Sequence, residues 1–481
     1  MNDMFDDFDY EEEPEMEVVS EEYPLPDIVQ DWVNEGSNFT THNDFALTML
    51  YFNILGQIVK DFISIPVKGN RIDSRVHFVW MQTARTGKTA AWKFVKKTLN
   101  ETYEMLNALN LSVTGDIDED LSEFSVFSLK EYTEASLIGT IRPNKSFDST
   151  LEEDDDNLKF LKITGGLEGS GIAHWDEFES SGIFKTGKHK ENILMYFQTF
   201  MNSLDSESYI ISKRLADTEL TIECDCQRSL YATTYVPENL VEVIINSGVL
   251  QRAFIFVREV PDEIAKEMRN TFIDNIGNPV EVKMPVTRFA KSLVQTYMKT
   301  KERWESVNRV KEDVIEISDA TKDVIRLYYN RMDTYIRNTR PEVKRVSETF
   351  IMNLLLYQVS LSALIAISNR RFKIVPNDVH CAGRIVENAY KSLVEWLEQA
   401  LRTQRRQSIS DRTKPDYFRQ AYMDIKNDDG WVHKTNLIEE AGKLAKMSKG
   451  QVYRIYKNVE NQYEAKKIGK SVYLKMKEEY L

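Results

Sequence analysis

The residues most able to do chemistry sit in Gln82-Thr83-Ala84-Arg85-Thr86-Gly87-Lys88-Thr89. A phosphate-binding loop reads G-x-x-x-x-G-K-[ST], and its second half is intact here. Such a loop works through backbone: successive N–H groups and the positive start of the next helix surround phosphate oxygens. Thr86 and Gly87 lie in that cradle, Gly87 permits close approach of the backbone, Lys88 brings charge, and the Thr89 hydroxyl can reach magnesium. Gln82 stands where the first glycine belongs, which costs backbone freedom without removing a ligand. The expected ligands are ATP and Mg2+.

Two further clusters suit the same chemistry. Asp176 and Glu177 end the apolar run Gly171–Trp175. An aspartate at a strand end can hold magnesium, and the next carboxylate can orient or deprotonate an attacking water. Thr233 and Thr234 end the run Ser229–Thr234 and could hold that water by a hydroxyl. Arg252, just before Phe254–Val257, could stabilise transferred charge in its own chain or in a neighbour.

These groups need strands and helices to place them. Val76–Met81 reads as the strand before the loop and Thr89–Leu109 as the helix after it. Together with the three other apolar runs, this predicts an α/β layer with a parallel sheet. Ahead of it, 27–69 reads as a helical lead-in and 1–26 as a disordered acidic tail. The core is expected over 70–280, an almost wholly helical domain over 281–404, and a polar, basic linker at Arg402–Pro415. Glu152–Asp156, five acids in a row, belongs on a solvated loop.

The charge of −14 is unevenly spread. Met1–Pro26 holds eleven acids and no Lys or Arg, whereas Leu401–Leu481 holds 18 Lys or Arg against 11 acids. An acidic tail and a basic end module imply a polyanionic partner for the latter. The acidic opening lacks the basic start of a signal peptide. Phe350–Ser368 approaches membrane-spanning length, but Asn353, Gln358, Ser360 and Ser362 interrupt it, so a buried helix and no membrane are expected. Three cysteines, with Cys224-x-Cys226 lacking zinc spacing, read as reduced thiols in a cytoplasm.

Residues 413–481 carry their own plan. Helical "DYFRQAYMDIKN" and "TNLIEEAGKLA" precede Ser448, which with Gln451 fits a capping box opening "KGQVYRIYKNVENQY". A hairpin turning at Gly469-Lys470 follows. Three helices and a hairpin are the winged helix-turn-helix plan. Lys449, Gln451, Arg454 and Lys457 would lie on the recognition helix, with Lys466, Lys467 and Lys470 in the wing, facing DNA.

In this order the motifs resemble those of AAA+ ring ATPases, and most specifically minichromosome-maintenance helicases. "EASLIGTI", then "GGLEGSGIAHWDEFES", is similar to the segment leading into that family's acidic strand end. "YIISKRLADTELTIECDCQRSLYATTYVP" resembles its pre-sensor hairpin and sensor strand, and "GVLQRAFIFVREVPDE" its arginine-finger strand. "FKIVPNDVHCAGRIVENA" resembles the end of its helical lid. The resemblance implies an AAA+-like P-loop core with an all-α lid, in a homo-oligomeric ring, a hexamer. It implies nucleotide and magnesium at Lys88 and Thr89, metal and water at Asp176 and Glu177, and a sensor at Thr234 or Thr233. Arg252 would be a finger acting on a neighbour, Lys213 a DNA contact in the ring channel, and Arg345 the lid's sensor arginine.

The loop itself looks closer to those of superfamily-three viral helicases, and the large zinc-bearing N-terminal region of cellular relatives is missing. Those departures imply a viral or plasmid relative, in the host cytoplasm if viral. The expected activity is ATP-driven movement on single-stranded DNA in replication, with duplex at the winged helix and the acidic tail meeting other replication proteins. The alternatives are a helicase loader or initiator using ATP as a switch, and a DNA-binding scaffold without catalysis. A RecA-type helicase fits less well, because Asp176 and Glu177 are adjacent, and no nuclease-like acidic cluster supports a packaging motor.

Overall fold

A computed structural model of the chain describes residues 24–38, 40, 42–67, 70–83, 86–114, 124–128, 133–143, 160–178, 191–204, 209–214, 221–236, 248–274, 286–427, 429–445, 447–469 and 471–477. Residues 1–23 of the acidic tail, the Glu152–Asp156 run and Lys470 lie outside them. The chain divides into two compact units, Met1–Glu398 and Gln399–Leu481.

The first unit opens with helices α1 (Asp27–Ser37) and α2 (Asp44–Ile58) and a hairpin of β1 (Ser64–Val67) and β2 (Asn70–Asp73). The lead-in expected to be helical to 69 therefore ends as strand, where β-branched Ile65, Val67 and Ile72 favour it. Then come β3 (Phe78–Gln82), α3 (Lys88–Thr114), β4 (Phe124–Ser128), α4 (Glu134–Ile138), the hairpin β5 (Gly139–Pro143) and β6 (Phe160–Thr164), β7 (Ser170–Trp175) and α5 (Glu191–Phe200). A second hairpin, β8 (Ile210–Arg214) and β9 (Thr221–Asp225), precedes β10 (Ser229–Thr234) and β11 (Phe254–Arg258).

Five of these strands form one parallel sheet in the order β11-β3-β10-β7-β4. The step from β3 to β4 runs to one edge, and the later steps run back across β3 to the other. Right-handed crossovers must then place the intervening helices on opposite faces. Side chains confirm it. His174 and Trp175, consecutive in β7, point to opposite faces. The Trp92 ring of α3 stacks on His174 at 3.9 Å, whereas Phe197 of α5 packs on Trp175 at 4.4 Å. Covering both faces explains why β3, β7 and β10 are buried at every position. Each large apolar side chain so buried, such as Phe78 or Trp80, contributes roughly 1.5–3 kcal/mol.

Helix α2 is buried almost all round, so it has no polar face to show at helical spacing. Its amides are used inside: Asn53 Nδ2 donates to Leu230 O (3.0 Å) and to Val76 O, and Gln57 Oε1 accepts from Ser229 Oγ (2.6 Å). Helices α6 (Asp262–Asp274), α7 (Val286–Ser306), α8 (Asp319–Arg337) and α9 (Pro341–Ser368) follow, with the short strands β12 (Glu316–Ile317) and β13 (Lys373–Ile374) pairing in parallel. Trp32 of α1, Phe94 of α3 and Phe289 of α7 meet at ring distances of 4.4–6.1 Å. The apolar window of α9 is mostly buried, with Tyr357 packing on Phe254 at 5.6 Å.

Helix α10 (Pro376–Ile425) includes Arg402–Pro415. The stretch expected as a linker is thus helical; its Arg, Gln and Lys residues are good helix formers. In the second unit, β14 (Val432–His433), α11 (Lys434–Ala445), α12 (Lys449–Val459), β15 (Tyr463–Ile468) and β16 (Ser471–Met476) follow it. The three strands pair antiparallel in the order β14-β16-β15, with Gly469 at φ +61° in the two-residue turn. A core of Phe418, Tyr422, Leu437, Val452, Tyr456 and Leu474 holds them together.

Candidate functional site

In an open α/β sheet, the crevice beyond the carboxyl ends of the strands, where the connections change direction, is where ligands are received. Here that point is the carboxyl tip of β3 beside β10. Register places Thr234 opposite Met81, Thr233 opposite Trp80, and Ala232 opposite both Val79 and Trp175. The residue after Trp175 is Asp176. So Lys88, Asp176, Glu177, Thr233 and Thr234 all lie at one edge.

The loop that ends β3 is closed by its odd residue. Gln82 is wholly buried. Its Nε2 donates to Thr86 Oγ1 (2.8 Å), Thr86 O (3.2 Å) and Asn43 Oδ1 (2.9 Å), while its Oε1 accepts from Trp80 Nε1 (2.8 Å). Asn43 Nδ2 donates in turn to Thr86 O (2.9 Å). A glycine there would leave Trp80 Nε1 and Asn43 Oδ1 unpaired. Gly87 has φ +91°, and a Cβ on it would stand 2.4 Å from Thr40 Oγ1. Thr40 and Asn43, ahead of α2, therefore form one wall of the loop.

Lys88 Nζ reaches back to Gln82 O (2.5 Å) and Thr83 O (3.2 Å) and lies 5.1 Å from the Tyr235 ring centre. Burial pulls its ammonium down to about 8, against the opposing pull of the Asp176 and Glu177 carboxylates. Thr89, on the first turn of α3, is exposed. Asp176 Oδ1 accepts from Thr233 Oγ1 (2.8 Å). Glu177 has φ +53°, an uncommon conformation for a side-chain-bearing residue, and its Oε1 accepts from Tyr235 OH (3.3 Å). The Thr234 hydroxyl is buried with no hydrogen-bond partner among the described residues. An orphaned hydroxyl, a desolvated ammonium and two carboxylates at one tip fit a magnesium-bound polyphosphate: Lys88 with the loop amides for the phosphates, Thr89 and Asp176 for the metal.

Arg252 is elsewhere. It ends a short 3-10 turn at the amino end of β11, the opposite edge of the sheet from Lys88. Its Nε donates to Asn202 Oδ1 (3.3 Å) and its Nη1 to Gly248 O (2.8 Å), and burial lowers its pKa. Within one chain it cannot join the Lys88 cluster. Arg345 is exposed on α9, eight residues before Asn353, whose amide donates to Gln251 O. No contact recorded among the described residues brings Arg345 to Lys88 or Asp176. Lys213, on β8, is ion-paired with Glu134 at the start of α4; Lys213 and Asn192 hold that carboxyl below its usual range.

On α12, Gln451 Oε1 accepts from Ser448 N (3.1 Å) and Ser448 Oγ (2.9 Å), so its side chain is engaged in the cap. Lys449 pairs with Glu439 at 2.8 Å. Arg454 and Lys457 are exposed, and Lys466 lies 5.8 Å from the Trp431 ring centre. Residues missed in the sequence are Gln82 as a staple, Asn43 and Thr40 as loop wall, and Tyr235 bridging Lys88 and Glu177. An aromatic directly after Thr233-Thr234 was the available signal for the last. No protein-family model matches the chain, and no curated protein matches it.

Proposed function

We propose that this chain is an ATP-driven, ring-forming DNA translocase acting as a replicative helicase, with hydrolysis at subunit interfaces. The observation that carries the reading is the shared edge. Lys88, Asp176, Glu177 and an unpaired Thr234 hydroxyl stand at the carboxyl ends of adjacent parallel strands. Bound Mg·ATP supplies a polarised γ-phosphoryl group. Lys88 and the loop amides would neutralise and orient it, Thr89 and Asp176 would hold the metal, and Glu177, fixed by Tyr235, would align a water that Thr234 could also hold. The placement of Arg252 at the opposite edge supports a role on a neighbour's phosphate, in a closed ring such as a hexamer. An AAA+-like P-loop core, a helical lid bearing Arg345 and a C-terminal winged helix belong to the same proposal. So do Lys213 in the channel, Arg454 and Lys457 on duplex DNA, and a cytoplasmic setting.

A loader or initiator that uses ATP as a switch would use the same site. The Lys213–Glu134 pair favours that second reading, because it withholds the hairpin's cation from a DNA phosphate. Hydrolysis stimulated by single-stranded DNA and displacement of a strand from a forked duplex are expected, and both should vanish in Glu177→Gln. Stimulated hydrolysis without displacement would select the loader; unchanged turnover in Glu177→Gln would remove the catalytic assignment.

A further inference from the structure

At the amino edge of the sheet lies a cavity of about 200 Å³, lined in part by Arg75, His77, Asn202, Arg252, Asn353 and Tyr357. It is small beside pockets of about 300–1,000 Å³ that take drug-sized ligands. Its charged groups differ in kind. Arg75 and Asp73 satisfy each other: Asp73 Oδ2 accepts from Arg75 Nε (3.2 Å), Arg75 Nη2 (3.0 Å) and Leu204 N (2.8 Å), and Oδ1 from Arg75 N (2.8 Å). The remaining Arg75 donors go to Cys226 O, Arg228 O and Asn202 O. Nothing in that pair is left for a ligand.

His77 and Arg252 are unlike it. His77 is only 4% exposed, and its Nδ1 accepts from Leu230 N (3.1 Å). A neutral ring accepting at Nδ1 carries its proton on Nε2, and burial keeps the ring neutral, with its pKa lowered to about 3. That Nε2–H has no hydrogen-bond partner among the described residues. Arg252 has five N–H groups, of which two are donated, both to neutral acceptors. No carboxylate pairs with it among the described residues. A half-buried cation without a counter-ion and a buried neutral N–H donor thus line one small cavity.

We propose that this cavity binds a small tetrahedral oxyanion, of the phosphate or sulfate class, through His77 Nε2–H and the Arg252 guanidinium. Asn353 and Tyr357 are held as walls by their bonds to Gln251 O and Arg252 O. An occupant would hold Arg252 at its own chain's amino edge, away from a neighbour's phosphates; that consequence rests on the ring reading, whereas the binding does not.

The test is calorimetric titration of the full chain with inorganic phosphate, against sodium chloride at matched ionic strength. The Lys88→Ala background excludes the phosphate loop. Saturable binding of one phosphate per chain, displaced by sulfate, is expected there. His77→Asn keeps an acceptor for Leu230 N and removes the Nε2–H, so it should weaken binding about tenfold, the worth of one hydrogen bond to an ion. Arg252→Gln, at a half-exposed side chain, should do the same and decides the matter if His77→Asn fails to fold. Absence of binding in Lys88→Ala, or affinity unchanged in a folded His77→Asn and in Arg252→Gln, overturns the proposal. Failure of the unsubstituted chain to bind Mg·ATP, with phosphate binding intact, would instead count against the carboxyl-edge reading alone.

Discussion

Two clusters at opposite edges of the central sheet, the Asp73–Arg75 pair and the Lys88 loop, are built to opposite rules. At the amino edge, Asp73 and Arg75 are buried and both charged side chains are fully paired. At the carboxyl edge, among the described residues, Lys88 donates hydrogen bonds to carbonyls alone, the Thr234 hydroxyl has no partner, and Glu177 is held in left-handed backbone. A saturated buried network fixes one packing and makes its members costly to remove. An under-satisfied edge costs stability and leaves donors for a ligand. The difference separates what holds this unit together from what it can act with.

That contrast can be broken most forcefully at Arg75. Arg75→Ala leaves the Asp73 carboxylate buried and alone, which should cost about 3–5 kcal/mol, read as a lower denaturation midpoint. A loss below about 1 kcal/mol would mean that the amino edge is not the structural one. Next comes the staple of the loop. Gln82→Gly restores the usual first glycine, yet it unpairs Trp80 Nε1 and Asn43 Oδ1 and takes a donor from Thr86 Oγ1. It should lower stability by about 1–3 kcal/mol and weaken ATP binding; tighter binding would show that the glycine pattern matters more than the staple.

The smallest effects come from pH, and they separate the edges by sign. His77, ordinary value 6.5, is held down to about 3 in the folded chain. Its contribution to stability is therefore complete above pH 6.5 and lost as pH falls toward 3. Asp73, also lowered, adds a loss at still more acid pH, in the same direction. His77→Asn should flatten the stability profile between pH 6.5 and 3 and leave the Asp73 window in place. Lys88 acts on the alkaline side: with its pKa near 8, ATP affinity should hold below pH 8 and decline above it. An affinity flat from pH 7 to 9.5 would place the Lys88 ammonium away from the phosphates.

Much of the sheet was legible because buried parallel strands read as apolar runs. Ser229–Thr234 was found with its true ends, and the strands at Phe78, Ser170 and Phe254 within two residues or so. Strand β4 was not found: "FSVFS" is short, with two serines in five residues, and flanked by polar chain. Strand order could not be read, since no local pattern records which strands neighbour. At the site, Lys88, Asp176, Glu177 and Thr234 were legible because each ends or follows a strand. Asn43 was not, because its partners Gln82 and Thr86 lie about forty residues on and an asparagine before a helix reads as an ordinary cap. The helical form of Arg402–Pro415 was not legible because its sequence carries almost no apolar residues at helical spacing.

One titration bears most directly on the carboxyl edge. Mg·ATP added to the folded chain and to Lys88→Ala should bind the first saturably and the second at least about a hundredfold more weakly, as expected for a desolvated charge pair lost. The thermal midpoints of the two proteins should stay within a few degrees. Equal affinity in both, at equal stability, would contradict a triphosphate site at the tips of β3, β7 and β10.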